Sequence, residues 1–519
     1  MRPTQGPRAS ARAIATALGA DLTGLPPTAA DVLLDGVTLD SRQVRPGDLY
    51  AALPGAHTHG ATFGLQAERA GAVAVLTDPT GRTLLDAAGV SLPQIIVPAP
   101  RATLGAASAL IYGRPADDLL LIGITGTNGK TTTAYILDAA LRALGHRTGL
   151  IGTIEIRVDQ EAVPAVRTTP EACDLHGLFA LMRERAVDSA VMEVSSHALT
   201  LHRVDGARYD VAVFTNLSQD HLDFHPTMED YYLAKAALFT PERAQRGVVC
   251  VDDAWGARLA AQASIPVVTL ATRVDAVGVG SDAGAGRADW RLIPRPDAPD
   301  QDEFDLVQGS SGQRVRLRSA LPGDFNRSNT ALAALTLLEC GIAAPDVERA
   351  MALGARVPGR MERVELGPGA PTVYVDFAHT PEAIRATLAA LRPAAGGRLI
   401  AVVGAGGNRD RGKRPLMGAA AARGADIVVV TDDNPRDEDP AQIRADIASG
   451  ARSAGPAASI LDIAGRSAGI AQALTLAAAD DVVAVLGRGH ETKQEVMGID
   501  RPFDDRVAVR ERWAQAAPA

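Results

Sequence analysis

The segment GlyIleThrGlyThrAsnGlyLysThrThrThr at 123–133 joins an apolar block to an Ala/Leu-rich stretch of helical length. A glycine turn between strand and helix lets backbone N–H groups converge on an anion, and the helix N-terminus adds partial positive charge. The pattern predicts a phosphate cradle of Gly126, Thr127, Asn128, Gly129, Lys130, Thr131 and Thr132. Lys130 would reach the β- and γ-phosphates of a nucleotide, and Thr131 would offer Mg²⁺ an oxygen. Ile124 stands where the strict pattern has glycine, so this is a variant turn with Gly123, Gly126 and Gly129. Downstream, GluValSerSerHis at 193–197 ends another apolar block, a position from which a carboxylate completes a Mg²⁺ shell. Read alone, Glu193 also suits a solvated strand end.

AsnLeuSerGlnAspHisLeuAspPheHis at 216–225 and AspTyrTyrLeuAlaLysAlaAlaLeuPhe at 230–239 follow, with Lys235 inside a helical pattern. The chain has only four lysines, Lys130, Lys235, Lys413 and Lys493, among 52 basic side chains. Where any cation suffices this composition supplies arginine, so a retained lysine marks a place where a compact, deprotonatable amine has use.

Three further segments end apolar blocks: GlyAlaGlyGlyAsnArgAspArgGlyLysArgPro at 404–415, AspAspAsnProArg at 432–436 and GlyArgGlyHisGluThrLys at 487–493. In an α/β fold such loops meet on one crevice at the carboxyl ends of the strands. The guanidiniums of Arg409 and Arg436, the amide of Asn434 and the carboxylate of Glu491 suit a ligand bearing both carboxylates and ammoniums, as a diamino acid does. The first loop lacks the last glycine of a dinucleotide fingerprint, which argues against a second nucleotide site.

The elements that must hold these groups read as short β-branched strands at 119–124, 189–194, 210–215, 247–251, 398–404, 426–431 and 481–487. Helical stretches alternate with them at 131–144, 170–186, 328–340, 415–424 and 440–450, which is α/β architecture. With 519 residues the chain predicts three domains, and breaks at ProAlaAspAsp 115–118 and ValProGlyArg 357–360 place them at 1–117, 118–357 and 358–519. The expected fold is a smaller N-terminal α/β domain, a central P-loop ATPase-type domain with a mostly parallel sheet, and a C-terminal Rossmann-like domain. Residues 271–318 read as a hairpin excursion or mobile loop. Near the start, Ser10 is expected to cap a helix ending at Gly19.

Composition narrows the class further. A 46% apolar, 22% charged chain with mean hydropathy +0.03 is globular, and a net charge of −9 offers no global field for nucleic acid. No apolar run reaches the roughly 18 residues of a membrane span. Cys173, Cys250 and Cys340 are odd in number and widely separated, so neither a disulfide framework nor a zinc site is expected, and a reducing cytoplasm fits.

Taken together, the motifs from about residue 37 to 495 resemble the Mur ligase family, the ATP-dependent amide-forming enzymes of peptidoglycan precursor synthesis. Within it the chain resembles the branch that adds a diamino acid to UDP-N-acetylmuramoyl-L-alanyl-D-glutamate. AspSerArg at 40–42 with GlyAspLeuTyr at 47–50 is similar to that branch's uridine-binding signature, which implies UDP contacts at Ser41 and the loop after Gly55. The resemblance implies that Thr168, Thr169, Ser195 and Arg203 hold the muramoyl-dipeptide. It also implies that Asn326 and Asn329 flank the adenine, and that Arg360, Asp376 and His379 reach the nucleotide. Read singly, each of these segments also suits a plain turn.

The amino acid would lie against Arg409, Asp433, Asn434, Pro435, Arg436, Gly487 and Glu491. In the family that the chain resembles, AsnProArg, here at 434–436, goes with meso-diaminopimelate, whose second carboxylate Arg436 would pair, whereas L-lysine and L-ornithine lack that group. The implied cofactors are ATP, Mg²⁺ and a CO₂-derived carbamate on Lys235, with Thr131, Glu193, His221 and the carbamate as metal ligands. The catalytic set that the resemblance implies is Lys130, Glu193, His221 and Lys235. Departures from the family pattern are Ala198, Leu201, Phe377, Asn408 and Arg488, and none removes a catalytic group. The expected enzyme is a cytoplasmic monomer acting through an acyl phosphate on small molecules, and ligands spread over three domains imply closure on substrate. Its rivals are the same reaction with L-lysine or L-ornithine, another ligase of the superfamily, such as folylpolyglutamate synthase or one acting at a different peptide position, and a nucleotide-binding regulator without turnover. A switch GTPase is disfavoured because no AsnLysXaaAsp motif occurs.

Overall fold

A computed structural model describes residues 2–4, 9–26, 28, 30–273, 288–295, 302–455 and 458–516. The chain divides into two compact units, one of residues 1–295, 304–317 and 329–354, the other of 296–303, 318–328 and 355–519.

Beside a two-stranded pairing of Ala9–Ser10 with Leu33–Leu34, the first unit carries two main sheets among the described residues. The smaller has the order Asp21–Thr23, Gln94–Ile96, Ala74–Thr77, Asp48–Ala51, Gly36–Thr38, parallel except at the Asp21–Thr23 edge. Its leading helix Ala11–Leu18 starts as the sequence predicts, with Ser10 Oγ accepting from Ala13 N at 3.1 Å, and ends at left-handed Gly19. The core beneath this sheet includes Ala172, Cys173 and Ala180 of the helix Ala172–Glu184, so the small sheet is packed onto the larger one's helical layer.

The larger sheet has eleven strands centred on Leu120–Thr125, with parallel neighbours Ser189–Glu193 and Tyr209–Phe214. These central strands are buried almost end to end, and both faces need apolar side chains, which is why they read as unbroken β-branched runs. The parallel series continues through Ala244–Cys250, Val267–Ala271 and Trp290–Pro294, then turns antiparallel at Glu303–Gln308. The segment 271–318 thus extends the sheet where it is described; its parts at 274–287 and 296–301 lie outside the described residues.

The second unit holds a six-stranded sheet ordered Glu362–Val364, Thr372–Asp376, Val482–Leu486, Leu399–Val403, Ile427–Val430, Ser459–Asp462, antiparallel only at its first strand. All the parallel strands therefore deliver their following loops to one edge. The last helix, Asp505–Ala516, is tied to that sheet by Asp505 and Arg466, both wholly buried, at 2.6 Å. Burying this pair costs desolvation, which the carboxylate, the guanidinium and Leu486 O offset together.

Candidate active site

The phosphate turn begins where Leu120–Thr125 ends and closes at the helix Lys130–Ala143. Gly126 (φ 147°) and Gly129 (φ 88°) have left-handed backbones that side chains rarely adopt. A Cβ on Gly126 would sit 1.9 Å from Thr215 Oγ1, and one on Gly129 2.4 Å from Asn329 Oδ1. Gly123 lies inside the strand against the Tyr209 ring rather than in the turn, so its smallness serves sheet packing.

Neighbouring side chains stiffen the turn. Thr215 Oγ1 and Asn216 Nδ2 donate to Asn128 O at 2.6 and 3.1 Å, and Asn128 N donates to Asn216 Oδ1 at 3.0 Å. Thr127 Oγ1 is shared with Ser218 and, at 3.2 Å, the Tyr231 hydroxyl. Lys130 Nζ donates to Gly126 O and Thr127 O, both at 2.9 Å. Lys235 Nζ reaches that same Gly126 O at 2.9 Å and lies 4.5 Å from the Tyr231 ring. Lys235 is only 1% exposed, and burial first, then Lys130, pushes its pKa far down, toward a neutral amine.

Behind the turn, Thr131 Oγ1 donates to Glu193 Oε2 at 3.0 Å; Thr153 supplies its N–H (2.8 Å) and hydroxyl (3.1 Å) to the same buried carboxylate. Thr132 is buried beside them, and Thr133 Oγ1 reaches Asn329 at 3.4 Å. His221 is exposed, with φ 53°; its ring lies 4.9 Å from that of His197 and 6.0 Å from that of Tyr231. The covered part of its ring loses enough hydration to lower its pKa, with His197, Lys130 and Lys235 pushing the same way against Asp220. Among the described residues no group of three His, Cys, Asp or Glu side chains is placed to hold a metal. A hydroxyl, one carboxylate and phosphate oxygens suit Mg²⁺, which keeps several waters and needs few protein ligands.

Next to Glu193, Thr169 Oγ1 donates to the Glu193 carbonyl at 2.9 Å and accepts from Ser195 N at 3.1 Å, while Thr168 Oγ1 meets Thr153 Oγ1 at 3.1 Å. Ser195 caps the short helix Ser196–Thr200. Arg203 pairs with Glu171 at 3.0 Å, and Glu171 also pairs with Arg101 and Arg167 at 3.3 and 2.7 Å. Three cations around one carboxylate leave positive charge there, and burial lowers the Arg203 pKa. Ser41, in the smaller sheet's part, is buried and bonded to Gln66 at 3.1 Å.

In the second unit, Asn326 Nδ2 donates to Pro322 O at 2.8 Å. Arg360 lies over the Phe377 ring at 4.6 Å, and His379 packs on the same ring while its Nδ1 meets Phe377 O at 2.8 Å. Asp376 is engaged within its own unit, accepting from Met361 N, Ala378 N and Thr387 Oγ1 at 2.8 to 3.1 Å.

The three loops of this unit do converge. Asn434 Nδ2 donates to Glu491 Oε2 at 2.8 Å, and its Oδ1 accepts from wholly buried Arg488 at 2.8 Å. Gly407 N donates to Asn434 O at 2.9 Å, and Gly407 has no room for a Cβ against Pro435 O. Gly487 (φ 114°) faces Asp433, whose carboxylate would be 2.8 Å from an added Cβ. Burial, then Asp433, raises the Glu491 pKa. Arg409 is exposed, and Asn408 Nδ2 donates to Asp437 at 2.8 Å, a contact an aspartate could not make at this position. Sequence reasoning missed Thr153, Thr215, Glu171 and Tyr231: each acts through shape or a hydrogen bond, with no motif of its own.

Comparison with known proteins places this geometry. The Mur ligase family catalytic domain matches residues 34–111, the Mur ligase middle domain 124–337, and the Mur ligase glutamate ligase domain 359–489. A Streptomyces avermitilis protein named UDP-N-acetylmuramoyl-L-alanyl-D-glutamate--2,6-diaminopimelate ligase is 48% identical, covering 98% of this chain and 99% of its own. Its Streptomyces coelicolor counterpart of the same name is also 48% identical, covering 98% of each. A solved structure of a ligase with that name superposes with TM-score 0.67 at 30% identity, covering 99% of this chain and all of the other. With relatives this similar over nearly its whole length, the chain belongs to the Mur ligase family.

Proposed function

We propose that this protein joins the amine of meso-diaminopimelate to the D-glutamyl carboxylate of UDP-N-acetylmuramoyl-L-alanyl-D-glutamate, consuming ATP, in peptidoglycan precursor synthesis. The observation that carries the reaction class is the pair of lysines on one turn carbonyl, beside the Thr131–Glu193 contact. The convergence of Asn434, Arg436 and Glu491, with relatives named for 2,6-diaminopimelate, supports the amino acid.

A carboxylate is a poor electrophile, so its oxygen must first become a leaving group. The γ-phosphoryl group of ATP passes to it, giving acyl phosphate and ADP; the amine then forms the amide and inorganic phosphate departs. The turn N–H groups and Lys130 bind the triphosphate and offset its repulsion with the incoming carboxylate. Thr131, Glu193, His221 and Lys235 as a carbamate would hold Mg²⁺, which when bound supplies further charge neutralisation. The neutral amine that burial enforces at Lys235 is the form that reacts with CO₂. Thr168, Thr169, Ser195 and Arg203 orient the muramoyl-dipeptide, and Ser41 the uridine end. Asn326, Asn329, Arg360, Asp376 and His379 take the nucleoside. Arg409, Asp433, Asn434, Pro435, Arg436, Gly487 and Glu491 take the amino acid, with Arg436 on its second carboxylate and Glu491 on its ammonium side.

Residues 1–117 would bind the uridine end, 118–357 ATP and 358–519 the amino acid. The protein would act as a monomer in the cytoplasm, where the precursor substrates are made. Among the described residues no helix is long and apolar enough to cross a membrane. Phosphate release that requires ATP, Mg²⁺, the UDP-dipeptide and a diamino acid together supports the proposal. Release that ignores any one of the organic substrates overturns it.

A further inference from the structure

Arg436 is held in an unusual way. Its backbone is left-handed (φ 52°), a conformation that costs free energy for a side-chain-bearing residue and persists only where surroundings enforce it. The enforcing element is the hairpin Lys493–Val496 and Ile499–Pro502. Arg436 N donates to Glu495 O at 3.1 Å and Met497 N to Arg436 O at 2.8 Å, forming a parallel bridge with Val496. The hairpin is stitched to the preceding residues as well. Glu495 N donates to Asn434 Oδ1 at 3.0 Å, and Gln494 Nε2 to Asp433 O. From the other side, buried Arg488 donates to Lys493 O at 2.7 Å.

The side chain is aimed by the same element. Arg436 Nε donates to Glu495 Oε2 at 3.1 Å and Nη1 to Gly407 O at 2.7 Å. The guanidinium passes over Gly406, where an added Cβ would come within 2.8 Å of Nη1. Nη2 has no protein acceptor among the described residues, so the group is fixed at two nitrogens and open at the third.

We propose that Glu495 is a positioning residue for amino-acid selection: it sets the Arg436 guanidinium so that Nη2 faces the second carboxylate of the incoming diamino acid. This rests on the reading of Arg436 given above. Glu495 does not itself touch that carboxylate, and its negative charge works against the attraction, so its contribution is orientation. An arginine left to rotate must be ordered at the moment of binding, which weakens binding by about three- to tenfold per immobilised side chain.

Two variants separate orientation from charge. Glu495→Gln keeps an acceptor for Nε–H and removes the charge; Glu495→Ala removes both. Positioning predicts a KM for meso-diaminopimelate about three- to tenfold higher in the alanine variant than in the glutamine variant. The KM values for ATP and the UDP-dipeptide, and kcat, stay within twofold in both. Equal KM values for diaminopimelate in the two variants overturn the proposal, as does a loss shared by all three substrates. Wild-type protein that turns over L-lysine and not diaminopimelate overturns instead the reading of Arg436, a separate result visible before any variant is made.

Discussion

Lys235→Met removes the buried amine while keeping an unbranched side chain of similar length. Lys235 Nζ and Lys130 Nζ each lie 2.9 Å from Gly126 O, so they are at most about 6 Å apart. At an effective dielectric near 20, two positive charges at that distance repel by about 3 kcal/mol, which, with burial, favours the uncharged amine. Methionine therefore removes little that stabilises the fold, and the melting free energy should stay within about 1 kcal/mol or rise. Protonation supplies a second check. A lysine whose folded pKa is lowered takes up protons more readily when unfolded, so it makes stability rise with pH until its unfolded pKa near about 10.4. That part of the pH dependence should vanish in the variant. Catalysis should respond in the opposite sense to stability. The proposed carbamate at this nitrogen would turn the repulsion into an attraction of similar size, and losing about 3 kcal/mol in the transition state would lower kcat roughly 100-fold. Phosphate release at saturating substrates, with a thermal melt on the same sample, reads both effects. Stripping dissolved CO₂ should slow the wild type, bicarbonate should restore it, and neither should affect the variant. Turnover within threefold of wild type would refute the reasoning.

Gly126→Ala puts a Cβ 1.9 Å from Thr215 Oγ1 at φ 147°, so a fluorescent ATP analogue should bind at least tenfold more weakly while the melt shows a folded protein. Arg436→Met removes a charge-assisted partner worth about 1.5–3 kcal/mol, raising the KM for meso-diaminopimelate roughly 10- to 100-fold with the KM for ATP unchanged. Glu491 has a raised pKa, so as pH falls it loses its charge earlier than an ordinary glutamate. The acid limb of kcat/KM for the amino acid should accordingly flatten in Glu491→Gln; an unchanged limb assigns it to another group. The same shift means that the cost of burying the Glu491 carboxyl is full above its folded pKa, shrinks as pH falls below it and is gone only below the ordinary glutamate pKa, so Glu491→Gln should gain most stability at neutral pH.

The central strands were legible because a parallel strand buried on both faces reads as one β-branched run, as at 189–194 and 426–431. The phosphate turn was legible because its glycines have no substitute there. Lysine scarcity singled out Lys235, which is buried against the turn. Thr153 and Thr215 were not legible, since a threonine that completes a hydrogen bond across sheet strands has no sequence spacing to betray it. The hairpin around Glu495 was missed for a related reason. Its two strands are four residues each, half-buried at 494–496 and exposed at Ile499–Pro502, and the observations that give it meaning are its bonds to residues some sixty positions earlier.

The most direct test of the account is kcat/KM for meso-diaminopimelate, L-lysine and L-ornithine, with ATP, Mg²⁺ and UDP-N-acetylmuramoyl-L-alanyl-D-glutamate held constant and the product weighed by mass spectrometry. The account predicts that diaminopimelate is preferred by at least 100-fold and that the product carries one added diaminopimelate residue. Preference for lysine or ornithine would contradict the role given to Arg436, and the absence of any amide product would contradict the assignment of the whole site.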